Sequence, residues 1–110
     1  MEITTRDYKR ANVIRVTGRV DASTAAQFDA KLKEYIAAGH VHLVMEMDAT
    51  DFLSSAGARA LISAQKALKA KGGQLSIAQP SERVLEVLHL AGLEVLFPVY
   101  KDTEAAIGAV

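Results

Sequence analysis

The sequence contains no cysteine, which excludes disulfide bonds and thiolate metal sites. Thirteen basic residues balance thirteen acidic ones, so the formal net charge is zero and gives no electrostatic reason to expect binding to nucleic acid or to an anionic membrane. No apolar run approaches membrane-spanning length, and the N-terminus MEITTRDYKR lacks the basic and then apolar layout of a signal peptide. These absences favour a cytoplasmic protein with no direct membrane insertion.

What is present is typical of a globular domain. Half of the residues are hydrophobic and 24% are charged. The 110 residues suffice for one core and are too few for two, and no linker, internal repeat or low-complexity tract divides them. We therefore expect a single domain over residues 1–110.

Two strands are expected at the N-terminus. NVIRVTGRV alternates in the manner of a strand, with Ile14 and Val16 on one face, and Gly18 is expected to close it. The preceding EITTRDYKR is polar enough for an edge strand. Asn12 would then lie in a tight hairpin turn between the two strands.

Helical spacing begins near Thr24. Thr24 to Gln27 fits a capping box, although Ser23 could equally be the N-cap, and Gly39 ends the helix. The apolar stripe of this helix consists of Phe28, Leu32, Tyr35 and Ile36.

The rest of the chain alternates between strands and helices. Ser81 is expected to cap one helix, Pro98 to end the last strand, and Asp102 or Thr103 to cap a short terminal helix. The segments predicted as strand, helix, strand, helix and strand are VHLVMEM, GARALISAQKALKAKGG, QLSIA, PSERVLEVLHLAG and EVLFPVY. This order predicts an α/β domain: a mixed, mostly parallel sheet, opened by a β-hairpin and packed with about four helices.

Residues 50–60, TDFLSSAGARA, join a predicted strand to the alanine-rich helix. Loops at the carboxyl ends of parallel strands gather at one rim of the sheet, where function usually lies. Either Ser54 or Ser55 could cap the helix, which would be a purely structural role. A serine at a helix N-terminus can also carry a phosphoryl group, which adds about −1.5 to −2 charges to a neutral surface. The small residues from Ala56 to Ala58 would let a partner approach the backbone closely.

At this point the sequence resembles a known family. DFLSSAGARAL, followed by KALKAKGGQLSIA, is similar to the signature of STAS domains, the anti-sigma factor antagonists. The upstream TGRVDASTAAQF places Gly18, Asp21, Thr24 and Ala25 on the positions of a second family motif, and GLEVLFPVYKDTEAAI resembles the closing strand and helix. The resemblance covers essentially the whole chain.

The resemblance implies a partner-switching cycle without a cofactor. The unphosphorylated antagonist would bind an anti-sigma factor that is also a serine kinase with a GHKL-type ATP site, and so release the regulator that this kinase holds. Phosphorylation at Ser55, the serine two places before the glycine, would abolish binding, and a PP2C-type phosphatase would restore it. The residues expected to contact the partner are Asp21, Thr24, Ser54, Ser55, Ala56, Gly57 and Arg59.

A second reading stays open on the same resemblance, because STAS domains also serve as accessory subunits of membrane transporter ATPases, including lipid transporters. An enzyme is not expected, since the sequence offers no activated nucleophile or poised histidine. His40, His42 and His89 lack a further ligand nearby and are expected at the surface or in turns. Asp48 and Asp51 are expected to be solvated turn residues rather than catalytic carboxylates.

Overall fold

The computed structural model describes residues 1–110, and the chain begins with a β-hairpin. Strand β1 (Glu2–Asp7) pairs antiparallel with strand β2 (Asn12–Val20). The turn is closed by the Tyr8 N–H, which donates to the Ala11 carbonyl oxygen over 2.9 Å. The prediction that Asn12 lies in the turn is wrong. Asn12 begins β2 opposite Asp7, the last pair of the ladder, and its Nδ2 donates to Asp7 Oδ1 over 2.7 Å.

The sequence suggested that Gly18 closes β2, but the strand continues through Gly18 to Val20. Gly18 has a φ of +95°, a conformation that favours glycine, and the pairing register shifts between Gly18 and Arg19. This irregularity lets β2 pair in parallel first with β3 (His42–Glu46) and then with β4 (Thr50–Leu53). Strand β4 was not predicted from the sequence, where these four residues were taken as part of a loop.

The six strands form one sheet in the order β1-β2-β3-β5-β6, with β4 also paired to β2. Strands β5 (Gln74–Ala78) and β6 (Val99–Tyr100) pair in parallel with their neighbours, so only the β1–β2 pair is antiparallel. The predicted mixed, mostly parallel sheet opened by a hairpin is therefore confirmed.

Four helices accompany the sheet, which confirms the predicted number. Ser81 Oγ accepts a hydrogen bond from the Val84 N–H, and Asp102 Oδ1 accepts one from the Ala105 N–H, so both predicted caps are present. The helices are α1 (Ala25–Ala37), α2 (Ser55–Ala70), α3 (Glu82–Leu90) and α4 (Thr103–Gly108). None of them is long and apolar enough to cross a membrane.

The segment EVLFPVY does not form one strand ending at Pro98. Residues Leu93–Val95 form a short 3₁₀ helix, and β6 begins only after Pro98. Leu93 and Phe97 are buried, whereas Val95 between them is exposed. The two buried residues are four positions apart, which is the spacing of residues on one face of a helix. The alternation required of a strand is absent here.

The two faces of the sheet are packed differently. Helices α1, α2 and α3 cover one face and bury the main core, whereas α4 packs Ala106 against a small cluster with Val13 and Val44 on the other. Gln65 of α2 is buried and fully bonded: its amide nitrogen donates to the Leu75 and Leu96 carbonyls, and its amide oxygen accepts from the Leu75 N–H. This side chain fixes α2 on β5 and so helps to set where the N-terminus of α2 lies.

Candidate functional site

The two adjacent serines occupy different positions at the start of α2. Ser54 is the N-cap, with extended backbone, and its Oγ accepts a hydrogen bond from the Gly57 N–H over 3.1 Å. Its own N–H donates to the Val20 carbonyl oxygen over 2.8 Å. Ser55 is the first helical residue, is exposed, and its hydroxyl takes no part in these bonds. Of the two candidates left open by the sequence, Ser54 is the cap.

Gly57 is a packing residue, which corrects its expected place on the partner-facing surface. It is buried, and a Cβ added there would lie 2.7 Å from Val20 Cγ1 and 2.8 Å from Leu53 Cδ1. Ala58 is also buried, at 7% exposure. The glycine allows the first turn of α2 to rest directly on the ends of β2 and β4. The accessible part of this turn is formed by Ser55, the half-buried Ala56 and Arg59.

The loop that carries Asp21 and Thr24 lies beside the serine loop. Val20 pairs with Leu53 at the ends of β2 and β4, and the Ser54–Val20 hydrogen bond continues this contact. The structure therefore brings the two family motifs together, although they are about 30 residues apart in sequence.

Thr24 does not form the predicted capping box. Although it is the N-cap of α1 by position, its side chain makes no capping bond. Instead, its Oγ1 accepts from the Asp21 N–H over 2.9 Å and donates to the Arg19 carbonyl oxygen over 2.8 Å. The hydroxyl thus closes the loop before the helix. Thr24 is half-buried in this position.

Asp21 presents an ionised carboxylate next to this loop. Its Oδ1 accepts hydrogen bonds from the Ser23 hydroxyl at 2.7 Å and the Ser23 N–H at 3.0 Å. These bonds, with a further contribution from Thr24, hold the pKa of Asp21 below its ordinary value, so it stays charged at neutral pH. Arg19 lies 3.6 Å from the other carboxylate oxygen and stacks on the Phe52 ring, 4.4 Å from its centroid.

A second polar cluster lies on the sheet face opposite α1, α2 and α3. Glu46 is buried, yet it receives hydrogen bonds from Arg6, Arg15 and the Thr103 hydroxyl. Burial alone would raise the pKa of Glu46, but these bonds outweigh it and lower the pKa to about 2. The cluster joins the hairpin, β3 and α4. Sequence reasoning missed it because its members come from four separate segments.

The other polar residues considered from the sequence do not gather into a metal-binding cluster. No group of three or more His, Asp or Glu side chains in the chain could hold a metal ion. His89 is exposed and lies 2.9 Å from Glu94. Asp48 is exposed but is not simply solvated, because it pairs with Arg15 at 2.7 Å and accepts from Gln79 at 3.0 Å.

Comparison with known proteins identifies the family. The family model described as the STAS domain matches residues 2–106. The chain belongs to the STAS domain family. It is 32% identical over 92 residues to BtrV of Bordetella bronchiseptica, a protein assigned to the anti-sigma factor antagonists, covering 84% of this chain and 79% of BtrV.

Solved structures agree with this assignment. The crystal structure of an anti-sigma factor antagonist from Mycobacterium paratuberculosis superposes with a TM-score of 0.91 at 26% identity, covering 99% of this chain and 92% of that one. The structure of SpoIIAA in its unphosphorylated form matches with a TM-score of 0.80 at 24% identity, over 94% of this chain and 92% of its own. Phosphorylated SpoIIAA of Bacillus matches with a TM-score of 0.76 at 22% identity, over 99% of this chain and 100% of its own.

Proposed function

We propose that this STAS domain is an anti-sigma factor antagonist that acts by partner switching, with Ser55 as its phosphorylation site. In its unphosphorylated form it binds an anti-sigma factor that is also a GHKL-type serine kinase, and this binding releases the regulator held by that kinase. The kinase transfers the γ-phosphoryl group of ATP to Ser55 Oγ, and the complex dissociates. A PP2C-type phosphatase hydrolyses the phosphate ester and restores binding.

The observation that carries the proposal is the division of roles between the two serines. Ser54 caps α2, whereas Ser55 is exposed one residue later with its hydroxyl outside the cap. A group can be added to Ser55 and removed again without taking a hydrogen bond from the helix N-terminus. A phosphoryl group on Ser54 would instead be attached to the oxygen that accepts the hydrogen bond from the Gly57 N–H.

The charge that phosphorylation would add at Ser55 is large compared with the charge carried by the residues around it. The accessible residues of the first turn are neutral except for Arg59, and Asp21 on the adjacent loop is already anionic. A phosphoryl group contributes about −1.5 to −2 charges at neutral pH. Like charges about 4 Å apart in a partly desolvated contact repel by a few kcal/mol, which is enough to change an affinity about a hundredfold. A partner that contacts a neutral Ser55 would therefore lose its complex on phosphorylation.

The names of the relatives also support this function over a transporter subunit. BtrV and the mycobacterial protein are both described as antagonists, and they match this chain over most of its length. SpoIIAA has been solved in both phosphorylated and unphosphorylated forms. No observation on the chain favours the transporter role specifically.

The test is a binding titration against the purified anti-sigma factor kinase from the same organism, with and without ATP. Ser55→Ala should bind like the wild type and keep binding in ATP, because it has no acceptor hydroxyl. Ser55→Asp should bind up to about a hundredfold more weakly, as a partial mimic with less charge than phosphate. Peptide mass mapping of the wild type after incubation with kinase and ATP should place the phosphate on Ser55.

Two outcomes would contradict the proposal. If Ser55→Asp bound as tightly as the wild type while Ser55→Ala lost binding, Ser55 would be a hydrogen-bonding contact and not a charge switch. A phosphate found on Ser54 alone would overturn the assignment of the acceptor. Ser54→Ala is the matched control, because it removes the neighbouring hydroxyl and leaves Ser55 intact.

A further inference from the structure

Helix α4 covers only part of the sheet face on which it packs. Its six residues span about 9 Å, whereas the five residues of β5 span about 16 Å. The helix lies toward the carboxyl ends of the strands, because the Thr103 hydroxyl at its start bonds Glu46, the last residue of β3. The amino ends of β3 and β5 are therefore left without a helix above them.

A cavity of about 220 Å³ occupies this uncovered part of the sheet and is called the α4 cavity below. The polar side chains that line it come from three neighbouring strands: His42 of β3, Gln74 and Ser76 of β5, and Tyr100 of β6. Ser76 pairs with Val44, which packs against Ala106 of α4, so Ser76 lies on the α4 face of the sheet. No Asp, Glu, Lys or Arg side chain lines the cavity.

Ser76 is the buried polar residue that lacks a side-chain hydrogen bond within the chain. It is 8% exposed, and its hydroxyl bonds no other residue. The other five buried polar residues all form side-chain hydrogen bonds: Asn12, Glu46, Thr50, Gln65 and Thr103. Since no fully enclosed side-chain polar atom of the chain is without a partner, the Ser76 oxygen must open into the α4 cavity. Its hydrogen bond is therefore made to whatever occupies that space.

The lining of the α4 cavity favours a small, uncharged occupant. An apolar cavity of about 150 Å³ is large enough for benzene, so 220 Å³ takes a single ring with one polar substituent. The Ser76 hydroxyl can both donate and accept a hydrogen bond. Gln74 Oε1 already accepts from Lys69 Nζ over 3.1 Å, which leaves the Gln74 amide nitrogen as a further donor. Such a set suits an amide or a hydroxyl group, whereas a charged group would find no carboxylate, lysine or arginine to pair with.

We propose that the α4 cavity binds a small uncharged ring compound that carries one amide or hydroxyl group, with Ser76 as its hydrogen-bonding anchor. The polar group of the ligand bonds the Ser76 hydroxyl, and its ring lies between Tyr100 and the alanines of α4. The cavity lies on the opposite face of the sheet from α2, which carries Ser55. The inference therefore goes beyond the proposed function and does not depend on it.

The experiment titrates the ¹⁵N-labelled full chain with benzamide, a neutral ring with one amide, and follows the backbone amide signals by NMR. Saturable shifts should appear in β3, β5, β6 and α4. Ser76→Ala should weaken binding about three- to tenfold, because it removes one hydrogen bond between uncharged groups. Benzoate, which has nearly the same shape but carries a charge, should bind about fivefold more weakly or worse.

Two alanines of the last helical turns provide a matched pair of variants. Ala109 is exposed and lines the α4 cavity, so Ala109→Leu should fill its edge and weaken benzamide binding about tenfold or more. Ala105 is also exposed but lies outside the lining, so Ala105→Leu should change binding less than about twofold. Thermal melts of each variant confirm that the fold is retained.

Each other outcome overturns the proposal at a defined point. If benzamide gives no saturable shifts, or shifts only in α1, α2 and α3, the α4 cavity is not a binding site. If Ala109→Leu and Ala105→Leu bind benzamide equally well, the ligand lies elsewhere. If Ser76→Ala binds as tightly as the wild type, Ser76 is not the anchor, and if benzoate binds more tightly than benzamide, the assigned ligand class is wrong.

Discussion

The substitution Gly57→Ala tests how the first turn of α2 is held in place. An added Cβ would lie 2.7 Å from Val20 Cγ1 and 2.8 Å from Leu53 Cδ1, whereas carbon atoms in contact are normally about 3.5–4.0 Å apart. Val20 is 0% exposed, so its side chain has no open space to move into, and Leu53 is 3% exposed. The start of the helix must therefore shift outward, and Ser54 and Ser55 must move with it.

Two opposing effects set the magnitude. Overpacking a well-filled core typically costs about 1–3 kcal/mol. Replacing glycine by alanine inside a helix returns up to about 1 kcal/mol of helix propensity. We therefore expect a net loss of roughly 1–2 kcal/mol in the free energy of unfolding, which corresponds to a fall of about 4–8 °C in Tm for a domain of this size.

The assay is denaturant unfolding together with thermal melting, and Gly108→Ala is the control. Gly108 also lies in a helix, but nothing is within 4 Å of the position that its Cβ would take, so this variant should be as stable as the wild type or more stable. If Gly57→Ala were also as stable as the wild type, the close packing of α2 on Val20 and Leu53 would not constrain the helix. The account of Gly57 as a packing residue would then be wrong.

Two further predictions concern stability. Ser54→Ala should lower the free energy of unfolding by about 0.5–2 kcal/mol because it removes the cap of α2, whereas Ser55→Ala should leave it almost unchanged. Denaturant midpoints of both variants check this. A larger loss for Ser55→Ala than for Ser54→Ala would show that Ser54 is not the cap. Glu46 has a pKa lowered from its ordinary 4.5 to about 2, so its ionised form stabilises the fold fully above about pH 4.5, and this stabilisation is lost as the pH falls toward 2. The shift corresponds to at most about 3 kcal/mol, reduced by solvent screening because Arg6 is 46% exposed. Glu46→Gln should therefore remove much of the fall in unfolding free energy between pH 4.5 and pH 2, and an unchanged pH profile would refute the role assigned to this carboxylate.

Local signals in the sequence were sufficient for most of the fold. The helices and their caps at Ser81 and Asp102 follow from periodicity and from residues within one turn of each helix start. The parallel sheet follows from the alternation of strands and helices. These features depend on short-range contacts that a single segment already contains.

The features that were missed depend on contacts between distant segments. Strand β4 has only four residues and is a strand because β2 bends at Gly18 to pair with it. The Glu46 cluster joins Arg6 in the first strand to Thr103 in the last helix, and these residues lie 40 and 57 positions from Glu46. No local pattern indicates either feature, since each depends on the sheet order.

The site itself shows where the local pattern was insufficient. The run Ala56-Gly57-Ala58 suggested one neutral surface of small residues next to Ser54 and Ser55, because in sequence these residues are adjacent. In three dimensions the helix separates them, with Ser54 turned back onto the backbone, Gly57 buried against β2 and β4, and Ser55 exposed. The small size of Gly57 therefore serves the packing of the core.

This separation is what a reversible modification requires of the fold. A domain that cycles between phosphorylated and unphosphorylated forms must stay folded in both, so the group that is modified should carry little of the stability. Ser54 and Gly57 hold the start of α2 through a hydrogen bond and a buried contact that do not involve the hydroxyl of Ser55. A phosphoryl group at Ser55 can then change the surface charge seen by a partner while the capping bond and the packing beneath it remain. The effect of phosphorylation should accordingly be seen in binding affinity far more than in the free energy of unfolding.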